Sequence, residues 1–203
     1  MEKYKVVIVG AGIAGMSAAI NLKRAGINPL IIENNAPGGT LNYIPNIENY
    51  PGYESIPGPD LAMNIYNQVN NLDIKIKSLN ISSIDLDKKI INNDIEFEYL
   101  IIATGRKSRL LGLDNEKELL GRGISTCALC DGMFYKDKDV IVVGGGNSAL
   151  TESLYLSNIC KKVTIVITRD NFTGDKYLID RVSNKILELD RGNIYTYTGN
   201  YSS

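Results

Sequence analysis

Hydrophobic residues fall in short blocks whose spacing changes along the chain. Lys5-Val6-Val7-Ile8-Val9 is apolar and β-branched at nearly every position, the pattern of a strand buried on both faces of a parallel sheet. A glycine-rich interruption follows, and then Met16, Ala19, Ile20 and Leu22 recur at helical spacing up to Gly26. Leu30-Ile31-Ile32 predicts a second strand, closing on Glu33. Further on, Leu61, Ile65, Val69 and Leu72 share one helical face, and Ile74-Lys75-Ile76-Lys77 alternates like a half-buried strand. Residues 88–92 and 95–102 read as strands joined at Asn92-Asn93-Asp94, a turn-prone group. A second β-branched run, Val140-Ile141-Val142-Val143, opens another glycine-rich loop. It leads to a helix ending near Leu156 and a strand at Val163-Thr164-Ile165-Val166. The pattern therefore predicts two βαβ units, with no other internal repeat and no low-complexity segment.

The two loops carry the first chemistry. Gly10-Ala11-Gly12-Ile13-Ala14-Gly15 sits between strand and helix, with Glu33 about 20 residues on. Gly10 allows a tight turn, Gly12 lets the backbone approach a pyrophosphate, and Gly15 lets the helix pack closely on the strand. The helix N-terminus then faces the phosphates, and Glu33 accepts hydrogen bonds from ribose hydroxyls. Gly144-Gly145-Gly146-Asn147-Ser148-Ala149 is the GxGxxA form of the same device, with Ala149 in the close-packing position. Either loop alone could be an ordinary βα turn. Two of them, each bracketed by the right elements, predict two dinucleotide sites.

Composition narrows the chemistry. The chain has 203 residues, 22 basic and 23 acidic, so no basic excess points to nucleic acid or an anionic membrane. No apolar run is long enough to span a bilayer, and Met1 lies too close to the first strand for a signal peptide; a soluble, cytoplasmic protein is expected. There is no histidine, which removes Ser-His-Asp, Cys-His and most metal-site chemistry. The three cysteines are Cys127, Cys130 and Cys160, too few and too odd for a secreted disulfide framework. Cys127 and Cys130 form a CxxC, which can cycle between dithiol and disulfide and whose first thiol is often the more acidic. The competing reading, half of a zinc site, lacks further ligands beyond Cys160. Cys160, at the end of the second helix, is expected to be structural.

The order of these segments resembles the low-molecular-weight thioredoxin reductases over essentially the whole chain. Gly10 to Gly15 is similar to that family's FAD pyrophosphate loop, with Ala14 inside it. Pro37-Gly38-Gly39-Thr40-Leu41 resembles a PGGQL segment lying against the flavin, with Thr40 in place of glutamine. Glu48-Asn49-Tyr50-Pro51-Gly52 matches ENYPG, which would bring Asn49 near the isoalloxazine, and Ala103-Thr104-Gly105 matches an ATG that closes over FAD. Cys127-Ala128-Leu129-Cys130-Asp131-Gly132 is similar to CxxCDG. Its position after the FAD unit, not within it, separates this type from larger relatives that carry CxxxxC and use a histidine. The resemblance implies an α/β fold of two Rossmann-like, three-layer nucleotide-binding domains, the second inserted into the first. Residues 1–114 would belong to the FAD domain and residues 115–203 to the pyridine-nucleotide domain.

It also implies a mechanism: electrons pass from NAD(P)H through FAD to the Cys127–Cys130 disulfide. Cys127 then attacks the disulfide of a thioredoxin-like small protein, and Cys130, the sulfur nearer the flavin, resolves the mixed disulfide. Asp131 is the proton carrier in a chain without histidine; its alternative role is a helix N-cap. A homodimer is implied as well. Two departures matter. Of the family's HRRxxxR segment, which grips the 2′-phosphate of NADPH, only Arg169 survives in Ile167-Thr168-Arg169-Asp170-Asn171-Phe172-Thr173. NADPH, NADH and another donor such as ferredoxin all remain open. No AGD tripeptide follows the second unit, and the sequence stops at Ser203. Sheet edges and apolar surface are therefore expected to be uncovered, with weak FAD binding and little turnover by these residues alone. A catalytically silent fragment and a redox-inactive regulatory module are the competing classes; the CxxC argues against the module.

Overall fold

The structure is a computed structural model that describes residues 1–187 and 194–198. Residues 199–203, at the end of the expected second domain, lie outside the described residues. Two compact units are present, residues 1–42 with 48–107, and residues 43–47 with 108–203.

In the first unit, β1 (Glu2–Val9) leads into α1 (Ile13–Arg24) and β2 (Leu30–Glu33). Then come α2 (Gly58–Asn71), β3 (Lys75–Ser78), β4 (Ile84–Asp85), β5 (Ile90–Ile91) and β6 (Ile95–Ile102). The sheet order is β3-β2-β1-β6-β5-β4, parallel from β3 to β6 and antiparallel at β5 and β4. β1 sits at the centre, which is why its apolar run is nearly unbroken. Val7 pairs in register with Leu30 and Ile8 with Ile31. Val7, Leu30 and Ile32 pack with Ile91, Ile95 and Phe97 on one face. The next residues in register, Ile8 and Ile31, point to the other, where Met16, Ala19, Leu61 and Val69 are also buried. Each fully buried aliphatic side chain stabilises the unit by about 1.5–3 kcal/mol. The 88–92 strand of the sequence reading contracts to Ile90–Ile91, because Lys89 and Asn92 take left-handed backbone conformations that end the pairing.

Charges staple the outer end of this sheet. Glu2 accepts hydrogen bonds from Lys77 Nζ, from Tyr4 Oη at 2.7 Å and from Lys75 Nζ at 3.0 Å. Those partners, Lys77 foremost, hold its carboxyl at about 2, down from 4.5. A depressed carboxylate stabilises the fold above its unfolded pKa and loses that contribution as pH falls towards its folded pKa. Glu2→Gln is therefore expected to flatten the fall of stability between about pH 4.5 and about 2, read from urea midpoints across that range.

The second unit contains α3 (Glu116–Leu119), α4 (Ala128–Asp131), β7 (Asp139–Val143), α5 (Asn147–Leu156), β8 (Lys162–Ile167), α6 (Lys176–Leu187) and β9 (Ile194–Thr198). Its sheet is parallel in the order β7-β8-β9. Leu150, Leu156, Val163, Ile165, Ile167 and Val182 form its core, with Cys160 and Ala128. Apolar side chains also remain at the surface of both units, among them Tyr99 and Ile102 on β6 and Ile141 and Val143 on β7.

Within α5, Ser153 is fully buried and its Oγ has no hydrogen-bond partner. Removing an unpaired buried hydroxyl costs no interaction and improves helix propensity. Ser153→Ala should stabilise the second unit by about 1 kcal/mol in chemical denaturation.

Candidate active site

Three segments of the first unit meet where β1 ends. Gly10 N–H donates to Ile32 O and Ala103 N–H donates to Val9 O, both at 2.8 Å. Gly10 has φ +106°, and a Cβ there would stand 2.3 Å from Ala103 O. At Gly15 a Cβ would stand 1.9 Å from Gly10 O. Gly12 is different: nothing lies within 4 Å of the place a Cβ would take. It precedes α1, provides no capping side chain, and no acid occupies the first turn, where Ala14 is exposed. The first N–H groups of α1 thus adjoin open space and carry no capping side chain, as a phosphate requires.

Gly38 N–H donates to Ala11 O at 2.8 Å, and Gly39 crosses Gly12 so closely that its Cβ would be 3.2 Å from Gly12 Cα. Thr40, exposed, and Leu41, buried, follow in a 3-10 turn over Gly39–Tyr43. Asn42 Nδ2 donates to Pro37 O at 2.9 Å and fixes the turn. Thr104 adjoins Gly10, and both Thr104 and Gly105 are exposed. Glu33 accepts from Ala11 N–H at 2.8 Å and from the Asn34 and Asn35 N–H groups at 2.9 Å. Its carboxylate therefore also shapes the glycine loop, a role that position alone does not reveal. None of these ties involves Asn49, which is exposed in a bend.

The second unit repeats the device. Gly144 N–H donates to Val166 O at 2.8 Å, and Ala149 packs on Gly144 as Gly15 packs on Gly10. Gly146 caps α5 without a side chain, and the nearest atom to its Cβ position is Thr173 Oγ1 at 3.9 Å. Asn147 and Ser148 are exposed on the first turn, and Arg169 is exposed in the segment after β8. Asp175, which no sequence motif flags, hydrogen-bonds Asn147.

Cys127 and Cys130 are joined as a disulfide, with Cα atoms 5.3 Å apart. The half-buried Cys127 is the N-cap of α4, its Sγ accepting Cys130 N–H at 3.0 Å, while Cys130 itself is exposed. Ser125 clasps the entry: its Oγ accepts Cys127 N–H at 3.0 Å and donates to Cys127 O at 3.1 Å. Ala128 is buried in the core, and Gly132 lies against Leu156 and Tyr155, so the turn is anchored on α5. Asp131 is half-buried at the end of α4 and makes no side-chain cap hydrogen bond. The capping role considered for Asp131 thus belongs to Cys127, because the short helix starts at Ala128. Met133 and Phe134, 61% and 74% exposed, stand next in the chain. Cys160 is buried, and burial followed by the charge of Asp137 pushes its thiol up, consistent with a structural residue. Glu116 is buried and accepts the N–H groups of Leu111, Gly112 and Leu113, which hold its carboxyl below the usual range.

Residues 4–193 match the family model described as pyridine nucleotide-disulphide oxidoreductase. The chain belongs to that family. Among curated relatives, the thioredoxin reductase of Rickettsia conorii is 43% identical over 185 residues, covering 88% of this chain and 60% of that protein. The thioredoxin reductase of Buchnera aphidicola subsp. Schizaphis graminum is 44% identical over 184 residues, covering 88% and 58%. The chain thus spans about 60% of the length of these relatives. Among solved structures, Lactococcus lactis thioredoxin reductase in its FR conformation aligns with a TM-score of 0.87 at 35% identity. That alignment covers 96% of this chain and 64% of that one. The T. acidophilum thioredoxin reductase aligns at 0.84 with 30% identity, covering 98% and 68%. The mixed α/β class expected from the two βαβ units is borne out, and no helix among the described residues is long and apolar enough to cross a membrane.

Proposed function

We propose that this oxidoreductase chain serves FAD-dependent reduction of a small protein's disulfide, most simply thioredoxin, with electrons from a pyridine nucleotide. The observation that carries the proposal is the Cys127–Cys130 disulfide in a chain with two open, uncapped glycine loops. Residues 1–114 form the FAD part and residues 115–203 the nucleotide part. Gly10, Gly12, Ala14, Gly15, Gly38, Gly39, Thr40, Leu41, Thr104 and Gly105 hold FAD, with Glu33 at its ribose and Asn49 towards its ring. Gly144, Gly146, Asn147, Ser148 and Ala149 take NADH or NADPH, with Arg169 beside the adenosine end. When bound, FAD supplies the two-electron relay between the hydride of the nucleotide and a disulfide.

The protein's own part is thiol chemistry. Reduction by two electrons and two protons opens the Cys127–Cys130 bond to a dithiol. Cys127, as thiolate, attacks one sulfur of the partner's disulfide, and the partner's other sulfur leaves and takes a proton, for which Asp131 is the carrier. Cys130 then attacks Cys127 Sγ in the mixed disulfide, releasing the partner as a dithiol and restoring the Cys127–Cys130 bond. The N–H of Cys130 at 3.0 Å supports the Cys127 thiolate, and exposed Met133 and Phe134 offer an apolar contact for a partner. A cycling dithiol suits the cytoplasm, and a homodimer follows from the family resemblance.

Steady-state thioredoxin reduction with NADPH, NADH and reduced ferredoxin as donors, FAD being supplied, tests this reading. Slow turnover that requires a pyridine nucleotide is expected, in keeping with the weak FAD binding expected of these residues alone. Its absence with both nucleotides would sink the donor assignment, and absence with all three the function.

A further inference from the structure

The two βαβ units share one backbone frame and differ in what secures it. Because Gly10 N–H donates to Ile32 O and Gly144 N–H to Val166 O, Ile167 is the counterpart of Glu33 and Gly145 of Ala11. Glu33 steadies its loop by accepting Ala11 N–H. Ile167 is apolar and buried, and cannot. In both units the segment after the second strand returns to the loop: Gly38 N–H donates to Ala11 O and Thr173 N–H to Gly145 O, each at 2.8 Å.

The second unit adds a two-point clamp. Asn147 Nδ2 donates to Asp175 Oδ2 at 2.8 Å, and Asp175 N–H donates to Asn147 Oδ1 at 2.6 Å. The backbone donor fixes which end of the amide faces which partner. Asp175 O also accepts the Leu178 and Ile179 N–H groups at 3.0 Å, so the clamp ties the first residue of α5 to the residue before α6. Gly174 sits inside it: a Cβ would lie 2.6 Å from Leu150 Cδ1 and 2.9 Å from Asn147 Oδ1.

We propose that Asp175 is a positioning residue for the pyridine nucleotide, holding the 168–174 segment and Arg169 beside the open side of Gly146 through Asn147. This rests on the second unit being the nucleotide site. A carboxylate near an anionic pyrophosphate is electrostatically unfavourable, so its hydrogen bonds, not its charge, must be what it contributes. An asparagine in its place keeps an acceptor for Asn147 Nδ2 and removes the charge.

Those properties separate the variants. Titration of the full chain with NADH and NADPH, followed by nucleotide fluorescence, is expected to show Asp175→Ala weakening the bound nucleotide about tenfold. Asp175→Asn should bind within about twofold of the parent or tighter, and Asn147→Ala combined with Asp175→Ala should be no worse than the weaker single variant. If Asp175→Ala has lost its circular-dichroism melting transition, Asn147→Ala alone reads the same tenfold loss. Parent-like binding by the alanine variants, or Asp175→Asn as weak as Asp175→Ala, overturns the clamp and leaves the nucleotide site standing. Failure of the parent chain to bind either nucleotide overturns both.

Discussion

Gly15→Ala is expected to destabilise the first unit by about 3 kcal/mol or more, while Gly12→Ala, three residues earlier, leaves its stability nearly unchanged. The contrast comes from what a methyl group meets. At Gly15 it would stand 1.9 Å from Gly10 O, a backbone atom that cannot swing aside, with Ile8 Cγ2 at 3.3 Å behind it. Relief requires α1 to lift from β1, which opens the packing of Met16, Ala19 and Ile20. At Gly12 the methyl enters open space, so the fold does not register it. That space is where a pyrophosphate would approach the first N–H groups of α1, so Gly12→Ala should lose FAD affinity with an unchanged melting curve. Urea midpoints together with FAD fluorescence quenching separate the two effects. If both variants melted and bound FAD as the parent does, the cradle described around Gly10 would be wrong.

Much of this cradle was legible in the chain, because each glycine sits at a fixed distance from a β-branched run. The runs at Lys5–Val9 and Val140–Val143 announce strands, and only a glycine at the next position can make the turns seen at Gly10 and Gly144. What stayed hidden are contacts between residues distant in sequence but carrying no pattern. The Asn147–Asp175 clamp bridges the ends of two helices, and nothing in Thr173-Gly174-Asp175 signals it. The same holds for Glu116, an ordinary acid in sequence that is buried because three consecutive N–H groups converge on it. At Glu33, spacing pointed to a ribose contact, but the hydrogen bond to Ala11 adds a structural duty. The extent of the short strands was also unreadable, since the left-handed residues at Lys89 and Asn92 stop pairing that the hydrophobic pattern would have continued.

Replacing either cysteine of the CxxC should lower disulfide-reductase turnover by about 10³-fold or more, since the thiols act as one unit and neither can complete the cycle alone. The two variants should fail at different steps. In Cys130→Ser, Cys127 retains its thiol and its place at the N-cap of α4, where the N–H of residue 130 still supports a thiolate. It can attack a partner's disulfide, but without the second thiol the forward step is closed. Only the partner's own released thiol can reverse the attack, so a mixed disulfide should be trapped once that thiol is alkylated. In Cys127→Ser, the remaining thiol at Cys130 lacks that N–H contact, and serine itself is a good helix cap. This variant should fold as well as the parent and capture little partner. Non-reducing electrophoresis after mixing each variant with oxidised thioredoxin reads the difference directly. Capture by Cys127→Ser alone would reverse the roles of the two sulfurs while leaving the redox pair in place. Capture by neither, with the parent active, would mean that the partner is reduced elsewhere on the protein.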